Sequence, residues 1–336
     1  MSSRAKLVWL GALAVLALPM LLTACGPADE SNSNMNNVAS VDSNAMAAAE
    51  SNSDSDTAAD TGADTGADAG AAATAEEVAA APADTTNGDD DVVTYIAKDY
   101  AFEGPDTLPT GWNTIRLKNE GQELHHLVMV KLEDGKTIDD MKAAIAAGEM
   151  EFPEWAVPYG GPNASIGPFE ATATIDLDEG NYVAVCSIPD ANGVPHMAEG
   201  MIKAITVSGQ GEIAEPSADL IVDLDDFAFI HDQPYVAGQH TVEVTNQGTE
   251  EHEMVLIKLD EGKTAADFEA AFAPGAPLGP PPGMPVGGIG PMAPGQVAYF
   301  YSDLEPGNYA ALCFVTDPDT GLAHFALGMA EEFTIE

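Results

Sequence analysis

Cys186, His196 and Met201 lie in one short stretch, CSIPDANGVPHMAEGM, which sets a thiol, an imidazole and a thioether close together. The same order returns as Cys313, His324 and Met329 in CFVTDPDTGLAHFALGM. With three cysteines and seven histidines in 336 residues, two such successions are a pattern rather than background composition. Thiolate and imidazole bind copper strongly in its cuprous and cupric states, and a weak axial thioether tunes the balance between them. Zinc ranks lower, because methionine is an unusual structural-zinc ligand. Upstream, His125 opens the apolar run HHLVMVKL and His252 opens HEMVLIKL. Taken alone, a histidine at the head of a strand is equally an edge residue bonded to a neighbour. With a distant Cys, His and Met it becomes a candidate fourth ligand.

These residues recur at a fixed displacement. Asn119, His125, Gly135, Tyr182 and Cys186 match Asn246, His252, Gly262, Tyr309 and Cys313, each 127 positions later. His196 and Met201 match His324 and Met329 at 128, so one residue has been added between the second Cys and His. Two copies of one domain account for this arithmetic. The segments that must position the ligands alternate apolar and polar residues over short lengths: WNTIRLKN, HHLVMVKL, ATATIDL, NYVAVC and MIKAITV, then HTVEVTN, HEMVLIKL, QVAYFYSD, NYAALCF and EEFTIE. Such alternation predicts strands. The expected fold is all-β, two tandem Greek-key β-sandwich domains at 91–208 and 218–336 joined by a linker at 209–217. TIDDMKAAIAAG and GKTAADFEAAF predict short helices, the first with Thr137 as N-cap and Asp140 three residues on. EFPEWAVPYGGPNASIGPF reads as a Pro/Gly-rich loop, with Trp155 and Tyr159 anchoring it. APGAPLGPPPGMPVGGIGPMAPG reads as an extended covering loop, its Met284 and Met292 engaged in packing. His231 and His240 fall outside the repeated set and are expected on the surface or in loops. His126 is matched by Glu253, which assigns the inward role to His125 and His252 and leaves His126 beside the site or in solvent.

Fifty-five acidic against eleven basic residues give a formal charge of -44. That sign excludes nucleic acid as an expected partner, and it fits solubility in concentrated salt, where self-repulsion is screened. Residues 1–25 read as a processing segment: Arg4 and Lys6, the largely apolar run from Leu7 to Met20, then Leu22-Thr23-Ala24-Cys25. The segment resembles a bacterial lipoprotein signal, which implies cleavage before Cys25, lipidation of that cysteine and tethering to a membrane outside the cytoplasm. Residues 26–90, with repeats such as TGADTGADAGAAATAEE, hold too little apolar surface to offset their ordering entropy and are expected to form a disordered acidic tether.

The two ligand sets resemble those of the cupredoxin family, above all its blue type 1 copper proteins, over about residues 92–208 and 218–336. NEGQELHHLVM is similar to that family's Asn/Gly-containing approach to its first histidine. The resemblance implies copper held by His125, Cys186, His196 and Met201, and by His252, Cys313, His324 and Met329. It also implies an extracytoplasmic β-sandwich carrying one electron per copper. Nine residues separate Cys from His in the first copy and ten in the second, longer than the tight loops of many small members. A multicopper oxidase is not implied, because Cys186 is flanked by Val185 and Ser187, and Cys313 by Leu312 and Phe314, where such enzymes carry histidines. An electron carrier with an acidic surface would engage a redox protein with a basic docking face. Two other classes remain: a cell-envelope binding or adhesion module built on sandwiches without metal, and a copper storage or delivery protein.

Overall fold

Tyr95 and Ala97 are buried while their neighbours along the chain are partly exposed, the two-residue period of a strand with one face on a core. The computed structural model describes residues 91–148, 151–164, 170–231, 233–272 and 281–336. The expected lipoprotein signal at 1–25, with Cys25, and the expected tether at 26–90 lie outside them. Among the described residues no helix is long and apolar enough to cross a membrane.

The first half runs β1 (Val92–Lys98), β2 (Ala101–Glu103), β3 (Thr107–Asn119), β4 (Val128–Leu132), α1 (Ile138–Ala146), β5 (Ala156–Pro158), β6 (Glu170–Leu177), β7 (Gly180–Val185), α2 (His196–Glu199) and β8 (Ile202–Gln210). The second follows with β9 (Leu220–Asp225), β10 (Ala228–His231), β11 (Gly238–Asn246), β12 (His252–Leu259), α3 (Ala265–Phe272), β13 (Gly283–Met292), β14 (Val297–Leu304), β15 (Gly307–Leu312), a 3-10 turn at His324–Leu327 and β16 (Ala330–Ile335). In the first half β2-β1-β3-β6 form one layer and β8-β7-β4-β5 the other. In the second, β10-β9-β11-β14 face β13-β12-β15-β16. Parallel pairing of β1 with β3 and of β9 with β11 requires a crossover in place of a hairpin, and β3 passes between the layers by pairing first with β8 and then with β6. The all-β sandwich expected from the sequence is the observed architecture.

Both expected helices form, and both begin the same way. Thr137 and Asp140 cap each other's backbone in a capping box, and Thr264 and Asp267 repeat the contacts at the head of α3. Met141 and Ile145 are the buried face of α1, against the outer side of its sheet.

Two segments differ from expectation. EFPEWAVPYGGPNASIGPF, expected as a loop, holds the short strand β5, which pairs antiparallel with β4. The Pro/Gly-rich run expected as a covering loop holds β13, which pairs antiparallel with β12. Proline is compatible with a strand at the edge of a sheet, where one line of N–H groups has no strand to meet. Gly288 sits at φ 127 with the Met254 carbonyl directly where a Cβ would be, so glycine permits the close approach of β12.

The two halves meet edge to edge. Ala173, Thr174 and Ile175 of β6 pair antiparallel with Phe300, Tyr299 and Ala298 of β14, so one sheet continues from β2 through to β10. The end of β5 is tied to β13 by Gly160 N–H to Pro291 O at 2.9 Å and by Gly290 N–H to Gly161 O at 3.0 Å. Tyr159, as expected an anchor, is buried there with its hydroxyl donating to Asp178 at 2.9 Å. One apolar cluster runs through both halves, from Tyr95, Ile115 and Ile175 to Phe300, Leu256 and Tyr309. Each such side chain removed from water contributes roughly 1.5–3 kcal/mol.

Candidate metal centres

Cys186 immediately follows β7, and its loop closes on itself through the backbone. The Cys186 N–H donates to Met201 O at 3.3 Å, the Met201 N–H to His196 O at 2.9 Å, and the His196 N–H to Ile188 O at 2.9 Å. Cys313 repeats this with Met329, Met329 with His324, and His324 with Val315, at 3.3, 2.9 and 2.8 Å. The added residue of the second loop is confined to an exposed turn. The Asp190 N–H donates to Val194 O in the first half, and the Asp317 N–H to Leu322 O in the second, each at 2.8 Å. The insertion therefore does not displace His324 relative to Cys313.

Three donor atoms converge in each half. His125 Nδ1 lies 3.1 Å from His196 Nδ1, which lies 3.5 Å from Cys186 Sγ. In the second half, His252 Nδ1 is 3.0 Å from His324 Nδ1, which is 3.5 Å from Cys313 Sγ. All six residues are buried, as are Met201 and Met329, whose main chains are bonded to the Cys and His beside them. Two nitrogens held about 2.0 Å from a common ion in trigonal array stand about 3.5 Å apart, so the observed separations need only a slight opening.

Carboxylates on the far side of the imidazoles decide what those Nδ1 atoms present. Asp99 Oδ1 lies 3.4 Å from His125 Nε2, and Asp226 Oδ1 lies 3.1 Å from His252 Nε2. Glu250 Oε2 is 3.1 Å from His324 Nε2. Glu123 Oε2 comes within 2.7 Å of His196 Nε2, at ion-pair distance but off the line of a hydrogen bond. A carboxylate at Nε2 holds the ring proton there and turns an Nδ1 lone pair inward. Two lone pairs then face each other with one thiol to share, and a cation between them relieves the conflict. The donor set, two imidazoles and a buried sulfur, fits copper. Burial, and then the neighbouring His196, push His125 below the ordinary imidazole range; burial does the same for His252 and His324. Burial also pushes the Cys186 thiol up to about 12 and Cys313 in the same direction.

The carboxylates were not singled out in the sequence, yet Asp99 and Asp226, and Glu123 and Glu250, share the repeat's displacement of 127. So do Tyr100 and Phe227, two non-glycine residues at φ 64 and 63 whose rings meet His196 and His324 edge-on at 5.3 and 5.1 Å. Asn119 and Asn246 each accept from a glycine N–H, of Gly121 and Gly248, and donate to the Glu123 and Glu250 carbonyls. A Cβ on Gly121 would lie 2.8 Å from His125 Nε2, and one on Gly248 would lie 2.6 Å from His252 Nε2. Gly121→Ala is therefore expected to displace His125 and weaken metal binding by the first half about tenfold to a hundredfold, as loss of a ligand's supporting contacts does. Competition with a cuprous chelator measures this, and an unchanged affinity would contradict it.

The other residues weighed in the sequence fall as follows. His126 is buried rather than in solvent, accepting the Ser187 N–H at 2.8 Å. His231 and His240 lie on β10 and β11, bonded to Glu331 and Asp219, and join neither cluster. Met292 is in the core, while Met284 is 41% exposed.

No protein-family model matches this chain, and no curated protein matches it. Among solved structures it is similar to dithionite-reduced auracyanin from the photosynthetic bacterium Roseiflexus castenholzii, with 25% identity over 34% of this chain and 94% of that one and a TM-score of 0.25. Auracyanin A, a blue copper protein from Chloroflexus aurantiacus, gives 18% identity over 35% and 98%, with a TM-score of 0.25. A blue copper oxidase from Nitrosomonas europaea gives 14% identity over 73% and 84%, with a TM-score of 0.21.

Proposed function

We propose that the chain is a copper protein that carries one electron at each of two centres. One is held by His125, Cys186, His196 and Met201, the other by His252, Cys313, His324 and Met329. The observation that carries this reading is the convergence, twice over, of two imidazole Nδ1 atoms and a cysteine Sγ in a buried pocket. Copper supplies a one-electron couple between its cuprous and cupric states. The chain's own contribution is preorganisation. Asp99 and Asp226 set the tautomers of the first histidines, the closed backbone of each Cys-to-Met loop fixes the sulfur, and burial excludes water. Little rearrangement then accompanies a change of charge.

The same reading takes 91–208 and 218–336 as the two copper domains with 209–217 between them. It takes 1–25 as a lipoprotein signal ending at a lipidated Cys25, and 26–90 as a tether outside the cytoplasm. A cleft of about 560 Å³ lies between the two Cys-to-His loops, lined by Pro189 and Pro195 from one and Val315 and Pro318 from the other, with Glu151 and Glu251 beside them. Its acidic border suits a redox partner with a basic docking face.

Copper titration of the lipid-free protein, followed by absorption and electron paramagnetic resonance, tests the assignment. The expected result is two equivalents per chain and an intense thiolate-to-cupric charge-transfer band. Absence of that band and of stoichiometric uptake, with both cysteines reduced, would overturn it.

A further inference from the structure

His126 and Glu253 occupy equivalent places in the two halves, each directly after the first candidate ligand, and they are the conspicuous mismatch beside those ligands. Each receives the backbone N–H of the residue that follows the cysteine: Ser187 N–H donates to His126 Nε2 at 2.8 Å, and Phe314 N–H to Glu253 Oε1 at 3.1 Å. Between them stands the buried Asn163. His126 Nδ1 lies 3.4 Å from Asn163 Oδ1, and Asn163 Nδ2 donates to Glu253 Oε2 at 2.9 Å. Donors and acceptors alternate without conflict along the whole line. Because Nε2 accepts from Ser187, the neutral ring carries its proton on Nδ1 and donates it to the amide oxygen, leaving the amide N–H for the carboxylate.

The mismatch is what the asparagine requires. Two histidines at these places would each offer it a donor, and two glutamates would each offer it an acceptor; an amide has one end of each kind. One histidine and one glutamate satisfy both ends. Further bonds from Asn163 Nδ2 to Ile289 O at 3.0 Å hold the amide in place.

We propose that the line Cys186–Ser187–His126–Asn163–Glu253–Phe314–Cys313 is the route by which an electron passes between the two copper centres. With copper bound in both halves, the electron given up by a cuprous ion in one would be taken by a cupric ion in the other. The electron crosses covalent bonds and four hydrogen bonds, the longest of them the 3.4 Å link between His126 and Asn163. This inference rests on the two-centre reading above. It makes the protein a two-electron relay whose halves equilibrate internally.

Two measurements on the full lipid-free chain test it. In the metal-free protein, nitrogen NMR of His126 is expected to find Nδ1 protonated and Nε2 unprotonated; the opposite tautomer would overturn the route whether or not copper binds. In the copper-loaded protein, Met329→Gln makes the two cupric spectra distinguishable through the changed axial ligand. A one-electron pulse then gives a concentration-independent relaxation as the centres equilibrate. Asn163→Leu on that background is expected to slow this relaxation severalfold, because two of the route's four hydrogen bonds are lost with the amide. His126→Gln, whose amide can accept from Ser187 and donate to Asn163, is expected to preserve the rate. Should Asn163→Leu fail to fold, His126→Leu takes its place. Two copper equivalents and both spectra retained, with an unchanged rate in the disruptive variant, would overturn the route while leaving the copper assignment standing. Loss of copper uptake by the unsubstituted chain would overturn both.

Discussion

Cys186→Ser is expected to reduce copper uptake from two equivalents to one and to halve the charge-transfer absorption, and Cys186→Ser with Cys313→Ser to abolish that absorption. The argument is chemical. The band requires sulfur bonded to cupric ion, and a serine hydroxyl is a hard, weakly acidic donor that does not replace a thiolate for a soft metal. The change is also nearly isosteric, so the backbone bonds from Cys186 to Met201 and Met197 have no reason to break. Burying a hydroxyl in place of a thiol costs roughly 1–3 kcal/mol when it finds no partner. At Cys313 the Glu253 N–H, 3.4 Å from the sulfur, is available to the new oxygen. Each single variant should therefore remain folded by circular dichroism and retain the other centre's spectrum. Copper analysis with absorption spectroscopy decides the matter: a full band in Cys186→Ser would remove that cysteine from the ligand set.

How much of this was legible in the sequence depends on the kind of residue. Cysteine and histidine are rare in this chain, so their succession and its repetition stood out before any strand was placed. The carboxylates that orient the imidazoles did not, because Asp and Glu are abundant here. Asp99 or Glu123 gains meaning only when the displacement of 127 is applied to it and the match proves acidic. Gly121 and Gly248 are hidden for a similar reason: their turns call for small residues, and only the folded chain brings an imidazole to where a side chain would go.

At the level of the fold, local alternation announced the sandwich, but pairings between distant edges left no local trace. The antiparallel join of β6 to β14 is made by Ala173–Ile175 and Ala298–Phe300, segments that read as ordinary strands in either half. β13 reads as a loop in the sequence because proline and glycine dominate it, and those residues signal loops unless the strand lies at an edge. His126 against Glu253 was visible as a mismatch. Its reason was not, since Asn163 lies in a Pro/Gly-rich segment with nothing to mark it as the partner of both.

The buried thiols also make copper uptake a proton-releasing reaction, and the direction follows from their displacement. Burial pushes Cys186 from 9.0 to about 12 and Cys313 upward as well, so both carry a proton at neutral pH. A metal takes the thiolate, and each uptake event must expel that proton. His125, His252 and His324 are pushed below 6.5, so above pH 7 they are neutral and expel none. Apparent affinity should thus rise about tenfold per pH unit per site between pH 7 and 9, with about one proton released per copper. Calorimetry in buffers of differing ionisation enthalpy counts those protons. Folding carries the mirror image. An acid whose pKa is raised on folding favours the folded state below its unfolded value and loses that advantage as pH rises above it. The metal-free chain should therefore weaken above about pH 9, by up to about 1.4 kcal/mol per pH unit for each thiol. Both the doubly substituted Cys→Ser chain and the copper-loaded protein should lack this thiol-linked slope, because neither contains a protonated thiol. Denaturant unfolding of all three forms between pH 8 and 10.5 separates the thiol contribution from that of the lysines and tyrosines they share. Equal slopes in all three, or copper uptake without proton release at pH 7.5, would mean that the cysteines are already ionised in the folded protein.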